Sequence, residues 1–326
     1  MVRKSKPRSG SLAFYPRKKA KQIRPRIKTI NFVSDKCLPL NFLGYKVGMT
    51  HILGKDEKKG SVTFGHEISM PATIIEVPSM KVFGYRCYEK TNYGLKTIFE
   101  ETAQEIEKHL ARKIKSIKRK KEKKQKELEK IKNRIAEVRL LCHTQPYLTG
   151  IGKKKPDITE IYLSGNIEEQ LKYAKEKLGK ELKASEVFAE KEFIDVKAVT
   201  KGKGMQGVVK RFGIKIQRHK AKKNRIVGSI GPITPSLVLW TVARPGQHGF
   251  QTRTEYNKRI IMLSDKPEKI NPKEGFNGYG LIKNDFILVA GSIPGPRKRI
   301  VALRKAVREA KPMQLINEVK FIATKS

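Results

Sequence analysis

Apolar residues along this chain fall in short runs separated by glycine, proline and charge, a texture that predicts strands over most of its length. Phe42 to Thr50, Ile68 to Val77 and Met80 to Tyr88 are rich in aromatic and β-branched side chains, with Pro78-Ser79 as a turn between the last two. Val138 to Cys142, Ile158 to Leu163, Phe286 to Ala290 and Val319 to Ala323 repeat the pattern. Several short strands in succession suggest an antiparallel sheet or a small closed barrel. The stretch from Glu101 to about Ala136 is different. There Leu110, Ile117, Ile131 and Val138 lie seven or fourteen residues apart, with Ile114, Leu128 and Ile135 as a second line. That is amphipathic helical spacing. Both lines meet lysine, at Lys121 and Lys124, inside the run Lys118 to Lys126. Either a helical hairpin turns there or one helix leaves its middle unpaired. A further helix is expected over Ile167 to Leu178, where Asn166 and Glu169 have capping-box spacing.

These patterns give an α+β, mainly β chain whose 326 residues suffice for about two domains. The expected division is a basic extension over 1–34, a β-barrel core over 35–96 and 191–326, a mostly helical insertion over 97–190, and a long central loop at about 201–250.

Charge changes the picture from a sheet protein to a polyanion binder. Lys and Arg number 72 against 31 Asp and Glu, a net charge of +41. No acid occurs before Asp35, between Asp195 and Glu255, or between Asp285 and Glu309. Nucleic acid is the natural counterpart, because every neutralised phosphate releases condensed counterions. In the first acid-free window Arg3, Lys4, Arg8, Arg17, Lys18 and Lys19 are interleaved with Pro7, Pro16 and Pro25. Proline spacing blocks a continuous helix, so this segment should be extended and mobile when alone. Leu12, Phe14 and Tyr15 make it sticky enough to dock on a partner or stack on bases; the plainer alternative is a solubilising or nuclear-type tail. The second window carries Lys201, Lys203, Lys210, Arg211, Arg218, His219, Lys220, Lys222, Lys223 and Arg225, then Trp240, Arg244, Gln247 and Arg253 on its return. It reads as a long loop or hairpin that leaves the core and rejoins it. Unpaired cations are too costly to bury, so such a stretch should thread into folded RNA.

Other chemistries lack their residues. Cys37, Cys87 and Cys142 are far apart and form no CxxC pair, which argues against a disulfide framework or zinc ribbon and for a reducing compartment. No apolar run approaches the roughly 20 residues of a membrane span, and the basic N-terminus has no apolar signal core behind it. A soluble, intracellular, cytoplasmic protein is expected, with no membrane partner. Gly202 to Gly207, GKGMQG, spells the dinucleotide-loop pattern, and Val209 extends it to the kinase loop. No acid follows until Glu255, however, and HRD-like, DFG-like and Walker-type residues are missing. What survives is the backbone freedom of Gly202 and Gly204, used either to approach a phosphate backbone or to make a tight hairpin turn. The six histidines show no HExxH or HxH spacing and there is no GxSxG elbow. Neither enzyme activity, a small-molecule substrate, a metal nor a cofactor is expected; structural Mg2+ would belong to bound RNA.

Six segments carry a specific resemblance: RSGSLAFYPRKKA at Arg8–Ala20, FLGYKVGMTHI at Phe42–Ile52, YGLKTIFEE at Tyr93–Glu101, AVTKGKGMQGVVKRFG at Ala198–Gly213, WTVARPGQHGFQTRTEYNKRI at Trp240–Ile260, and IKNDFILVAGSIPGPRKRIVALRK at Ile282–Lys305. In this order they resemble the universal large-subunit ribosomal protein L three family, archaeal or eukaryotic type. The resemblance implies a translation-factor-like antiparallel barrel of six or seven strands, a helical insertion, an N-terminal extension and a central loop reaching toward the peptidyl transferase centre. It implies a structural role: binding large-subunit ribosomal RNA near its 3′ domain, early in assembly, beside other ribosomal proteins. The positions it carries over are Lys201, Gly202, Lys203, Gly204, Arg211, Trp240, Arg244, Gln247, Arg253, Arg297, Lys298 and Arg299. Eukaryotic members place a tryptophan near the loop tip, where Ile233 stands here, and a histidine where Ala221 stands; Trp240 matches a second family tryptophan. The missing long C-terminal extension favours the archaeal type. The readings outside this family are a nucleotide-dependent enzyme using GKGMQG, or a general RNA-binding or RNA-chaperone protein outside the ribosome.

Overall fold

The structure, a computed structural model, describes residues 10–27, 36–105, 107–114, 128, 131–308 and 316–323. Its strands in chain order are β1 (Asn41–Asp56), β2 (Glu67–Glu76), β3 (Met80–Thr91), β4 (Gly94–Thr102), β5 (Glu137–Thr144), β6 (Ile158–Tyr162), β7 (Glu181–Leu182), β8 (Phe193–Val199), β9 (Met205–Gln206), β10 (Gly246–Gln247), β11 (Thr252–Ser264), β12 (Phe286–Ala290), β13 (Ile300–Lys305) and β14 (Ile316–Ile322). The helices among the described residues are α1 (Lys108–Ala111), α2 (Ile167–Lys177) and α3 (Val208–Phe212). The chain divides into two compact units, one built from residues 1–23 and 199–253, the other from 24–198 and 254–326.

The larger unit is organised by β1. Its first half is buried throughout, as expected of a strand with protein on both faces. It pairs antiparallel with β2 along most of its length, with β13 through Asn41 to Tyr45, and with β14 through Ile52 to Asp56. Seven strands run in the order β13-β8-β11-β12-β2-β1-β14, and the extra pairing of β13 with β1 closes six of them into a ring. Gly44 allows the closest approach: a Cβ there would stand 2.6 Å from Ile75 and 2.9 Å from Val77. Phe42, Leu43, Tyr45, Ile74, Ile75, Phe286 and Leu288 fill the core.

Two buried carboxylates brace this ring, one against a loop and one between its strands. Glu76 accepts from the backbone N–H groups of Lys283 (3.0 Å) and Asn284 (3.2 Å), from Asn284 Nδ2 (2.8 Å) and from the Tyr279 hydroxyl, fixing the approach to β12. Asp195 on β8 accepts from the Asn257 N–H at 3.1 Å and from Arg304 at 2.9 Å, joining β8, β11 and β13. Each carboxylate is satisfied by several donors, which is what lets it be buried.

The stretch 97–190, expected to be mostly helical, is a mixture of strand and helix. A second sheet runs β4-β3-β5-β6, with β7 on β3, and helix among the described residues is mainly the one turn of α1 and the eleven residues of α2. The apolar lines at Leu110, Leu128 and Ile135 are buried, but the same spacing continues into the strand that begins at Glu137, where burial follows sheet neighbours. The lysine run Lys118 to Lys126 lies outside the described residues. Asn166 is the N-cap of α2 as expected, although its side chain makes no capping hydrogen bond. Across this sheet Arg139 lies between the rings of Tyr88 and Tyr162, 4.3 Å from each centroid, and pairs with Glu137 and Glu160, both at 2.9 Å. Arg86 joins Glu160 (2.9 Å) to Glu100 (2.8 Å). The three cysteines are free thiols, and no described helix is long and apolar enough to cross a membrane.

Candidate nucleic-acid interface

Every charged side chain in the smaller unit is cationic, because its two segments fall inside two of the acid-free windows. Its stem is an antiparallel ribbon. The Thr200 N–H donates to Gln251 O (3.0 Å), Phe250 to Lys201 (3.3 Å), Lys203 to His248 (3.0 Å) and His248 to Gly204 (2.9 Å), and β9 pairs with β10 through Gly246↔Gln206 and Gln247↔Met205. The glycine motif is therefore one strand of this ribbon, not a nucleotide loop. Gly249, at φ +71°, is the position that only glycine satisfies, since a Cβ would overlap the Lys201 carbonyl oxygen. Gly202 lies against Phe250, and a Cβ on Gly204, at φ +65°, would meet nothing within 4 Å.

Arg211 at the end of α3 is turned toward its own backbone. Its Nε donates to Gln247 O at 3.1 Å and its Nη1 to Arg244 O at 2.9 Å, so it holds the returning strand. The Gln247 side chain likewise donates to Gly249 O at 3.0 Å. Gly213 ends the helix in the left-handed conformation, φ 63°.

The N-terminal segment, expected to be extended and mobile when alone, docks on this stem over residues 10–23. Aromatic side chains supply the contacts, so the sticky Phe14 and Tyr15 find their partner in the same chain. Arg17 lies over Phe212 at 4.5 Å and Tyr15 at 5.2 Å; Arg253 lies over Phe14 at 4.4 Å; Tyr15 meets Trp240 edge-on at 5.1 Å. Such guanidinium stacks fix the charge in place; Arg253 also donates its Nη1 to Thr252 O at 3.0 Å. The Ala20 N–H adds a 2.8 Å hydrogen bond to Phe250 O. His248 is held below its ordinary range, first by partial burial and then by Lys203, Arg17 and Arg211. Partial burial and the nearby Arg17 also lower Arg211 and Arg253.

Beyond the stem, the loop presents Arg218, His219, Lys220, Lys222, Lys223 and Arg225 as exposed side chains. Lys201, Lys203, Lys210, Arg244, Lys18 and Lys19 are exposed as well, whereas Arg3, Lys4 and Arg8 lie outside the described residues. Apolar groups accompany the charge: Ile233 is 91 % exposed and Trp240 63 %, surface of the kind on which bases can pack.

A second basic element belongs to the larger unit. Arg297 and Lys298 are exposed and Arg299 is half-buried in the turn before β13, with Lys298 at φ +65°. This turn is held from beneath by the buried Lys46, whose Nζ donates to Ile293 O (2.7 Å) and Gly295 O (3.1 Å). Burial, and the nearby Arg297, lower the Lys46 ammonium pKa, with Glu255 opposing. Lys46 and Phe212 were not singled out by sequence reasoning; a lone lysine inside the apolar run of β1 was the one signal for the first. Among the described residues no group of three or more His, Cys, Asp or Glu could hold a metal.

Comparison with known proteins agrees with this architecture. The model of the family described as ribosomal protein L3 matches residues 1–326. The chain is 47 % identical to the large ribosomal subunit protein uL3 of Methanobrevibacter smithii, over all of this chain and 99 % of that one. It is similarly 46 % identical to uL3 of Methanothermobacter thermautotrophicus, over all of this chain and 99 % of that one, and 46 % identical to uL3 of Archaeoglobus fulgidus, over 94 % and 93 % of the two chains. A match across the full length, at this identity, leaves one conclusion: the chain belongs to the ribosomal protein L3 family of the large ribosomal subunit.

Proposed function

We propose that this chain, as a structural component of the large ribosomal subunit in the cytoplasm, binds large-subunit ribosomal RNA through its carboxylate-free unit, with the 297–299 turn as a second contact. The observation that carries this reading is a folded stem of aromatic-stacked arginines in a unit without one acidic side chain. Such a unit needs phosphate to offset its own repulsion. Exposed loop cations neutralise phosphates, and Ile233 and Trp240 supply apolar surface for splayed bases. In this reading the RNA is the 3′ domain, binding occurs early in subunit assembly beside other ribosomal proteins, and the central loop at about 201–250 extends toward the peptidyl transferase centre. The protein positions RNA and catalyses nothing.

The test is sedimentation of a tagged chain from its own cells through a high-salt gradient. Co-migration with large subunits and with their early precursors is expected. A chain that stays in the soluble fraction, or joins only finished subunits, would contradict the corresponding part of the proposal.

A further inference from the structure

Among the described residues of the smaller unit, Arg17 is a guanidinium whose surroundings are incomplete. Arg17 is half-buried, stacked on Phe212 and Tyr15, yet its N–H groups make no hydrogen bond to an acceptor among the described residues. Arg211 approaches the same Phe212 ring, 5.2 Å from its centroid. It commits Nε and Nη1 to carbonyl oxygens of Gln247 and Arg244, while its Nη2 has no acceptor among the described residues. Two guanidinium groups thus share one aromatic ring in a unit that offers no carboxylate. Gly10 makes room for this: a Cβ there would collide with the Arg17 guanidinium and stand 3.5 Å from Phe212.

We propose that Arg17 and Arg211, set about Phe212, form a clamp for one particular backbone phosphate of the bound RNA. The inference rests on the RNA-binding reading above and sharpens it to a named site. Guanidinium N–H groups lie in the plane of the group, so stacking leaves them directed outward, where phosphate oxygens accept them in a charge-assisted geometry. The stacks fix both groups beforehand, so little rotamer freedom remains to be lost on binding. Lys203 stands close enough to add to the positive potential; with Arg17 and Arg211 it acts, after burial, to hold His248 below its ordinary range. The other basic side chains of the loop are exposed and uncommitted, suited to diffuse neutralisation; the clamp instead selects a phosphate by position.

The experiment uses the full chain and a large-subunit ribosomal RNA fragment in which single phosphates are replaced in turn by neutral methylphosphonate. One position is expected to cost the wild type about tenfold in affinity, the size of one lost charge-assisted contact. Arg17→Lys keeps the charge but loses the stacked fork. It should bind the unmodified RNA about tenfold more weakly and lose nothing further at that position. The same interference profile in wild type and variant would overturn the clamp. Should Arg17→Lys fail to fold, Arg211→Lys decides in its place: it removes the second guanidinium fork at Phe212 and should likewise lose nothing further at the sensitive position. An unchanged interference profile in that variant would overturn the clamp, and so would a wild type with no single sensitive position in the RNA. Failure of the RNA-binding reading would look different: the wild type would show no preference for ribosomal RNA at all.

Discussion

Replacing Gly249 with alanine should open the stem of the smaller unit without unfolding the larger one. Gly249 sits at φ +71°, a conformation that costs an L-residue about 1 to 2 kcal/mol. The new Cβ would overlap the Lys201 carbonyl oxygen and lie 3.2 Å from the carbonyl carbon, so the two strands of the ribbon must separate. The hydrogen bonds at risk are Phe250 N–H to Lys201 O and Lys203 N–H to His248 O, at 3.3 and 3.0 Å. At about 1 kcal/mol net for each bond, the strain and lost bonds total about 3 kcal/mol, or roughly two orders of magnitude in local opening. Native-state hydrogen exchange reads this directly. The Lys203, His248 and Phe250 amides should exchange about a hundredfold faster, with strands β1, β2 and β12 unchanged. Unchanged protection at those three amides would refute the close-approach argument. Faster exchange throughout both units would refute the separation of stem from core.

Two further perturbations test the larger unit. Asp195→Ala leaves Arg304 without its buried partner and the Asn257 N–H without its acceptor, so stability should fall by about 3 to 5 kcal/mol in urea titration; a midpoint like that of the wild type would contradict the latch. Glu160 titrates below its ordinary range. Burial is its largest single influence and works upward, but hydrogen bonds from Tyr88 and Arg139 and the charges of Arg139 and Arg86 together outweigh it. A carboxyl whose folded pKa is depressed adds stability above its unfolded value, near pH 4.3, and loses it as pH falls through the folded value. Thermal melts of Glu160→Gln should therefore depend less steeply on pH below about 4.3 than those of the wild type, and parallel curves would remove Glu160 from the acid response.

The strands were legible because each carries its own signal. β1, β2 and β3 begin within a residue or two of the apolar runs at Phe42, Ile68 and Met80, and the Pro78-Ser79 turn separates the latter two. Ring closure was suggested by the succession of strands, but the pairing of β1 with β13, far apart in sequence, has no local signature. Within 97–190, β5 and β6 stand where the apolar runs Val138 to Cys142 and Ile158 to Leu163 predict them; much of the helical spacing from Leu110 to Ile135 falls outside the described residues, and Val138, at the end of its line, lies in β5, which takes its burial from β3 and β6. At the candidate interface, charge picks out the basic segments from the sequence. It could not show that Arg211 spends its donors on its own backbone, or that Phe14 and Tyr15 dock against Arg253 and Trp240. Those are pairings between distant residues, and side-chain type alone does not choose between an aromatic of the same chain and a base.

The central claim, that a preformed and carboxylate-free unit recognises ribosomal RNA, is tested most directly by equilibrium binding across a salt series. The purified chain is titrated with the 3′ part of its large-subunit ribosomal RNA and with a shuffled RNA of equal length. Each neutralised phosphate adds about 0.7 to 0.9 to the slope of log affinity against log salt, so both RNAs should show steep curves. A preference for the ribosomal sequence that persists at high salt is the predicted result, because fixed stacks and shape outlast screening. Identical affinities and slopes for the two RNAs would contradict the account and reduce the unit to a general polyanion binder.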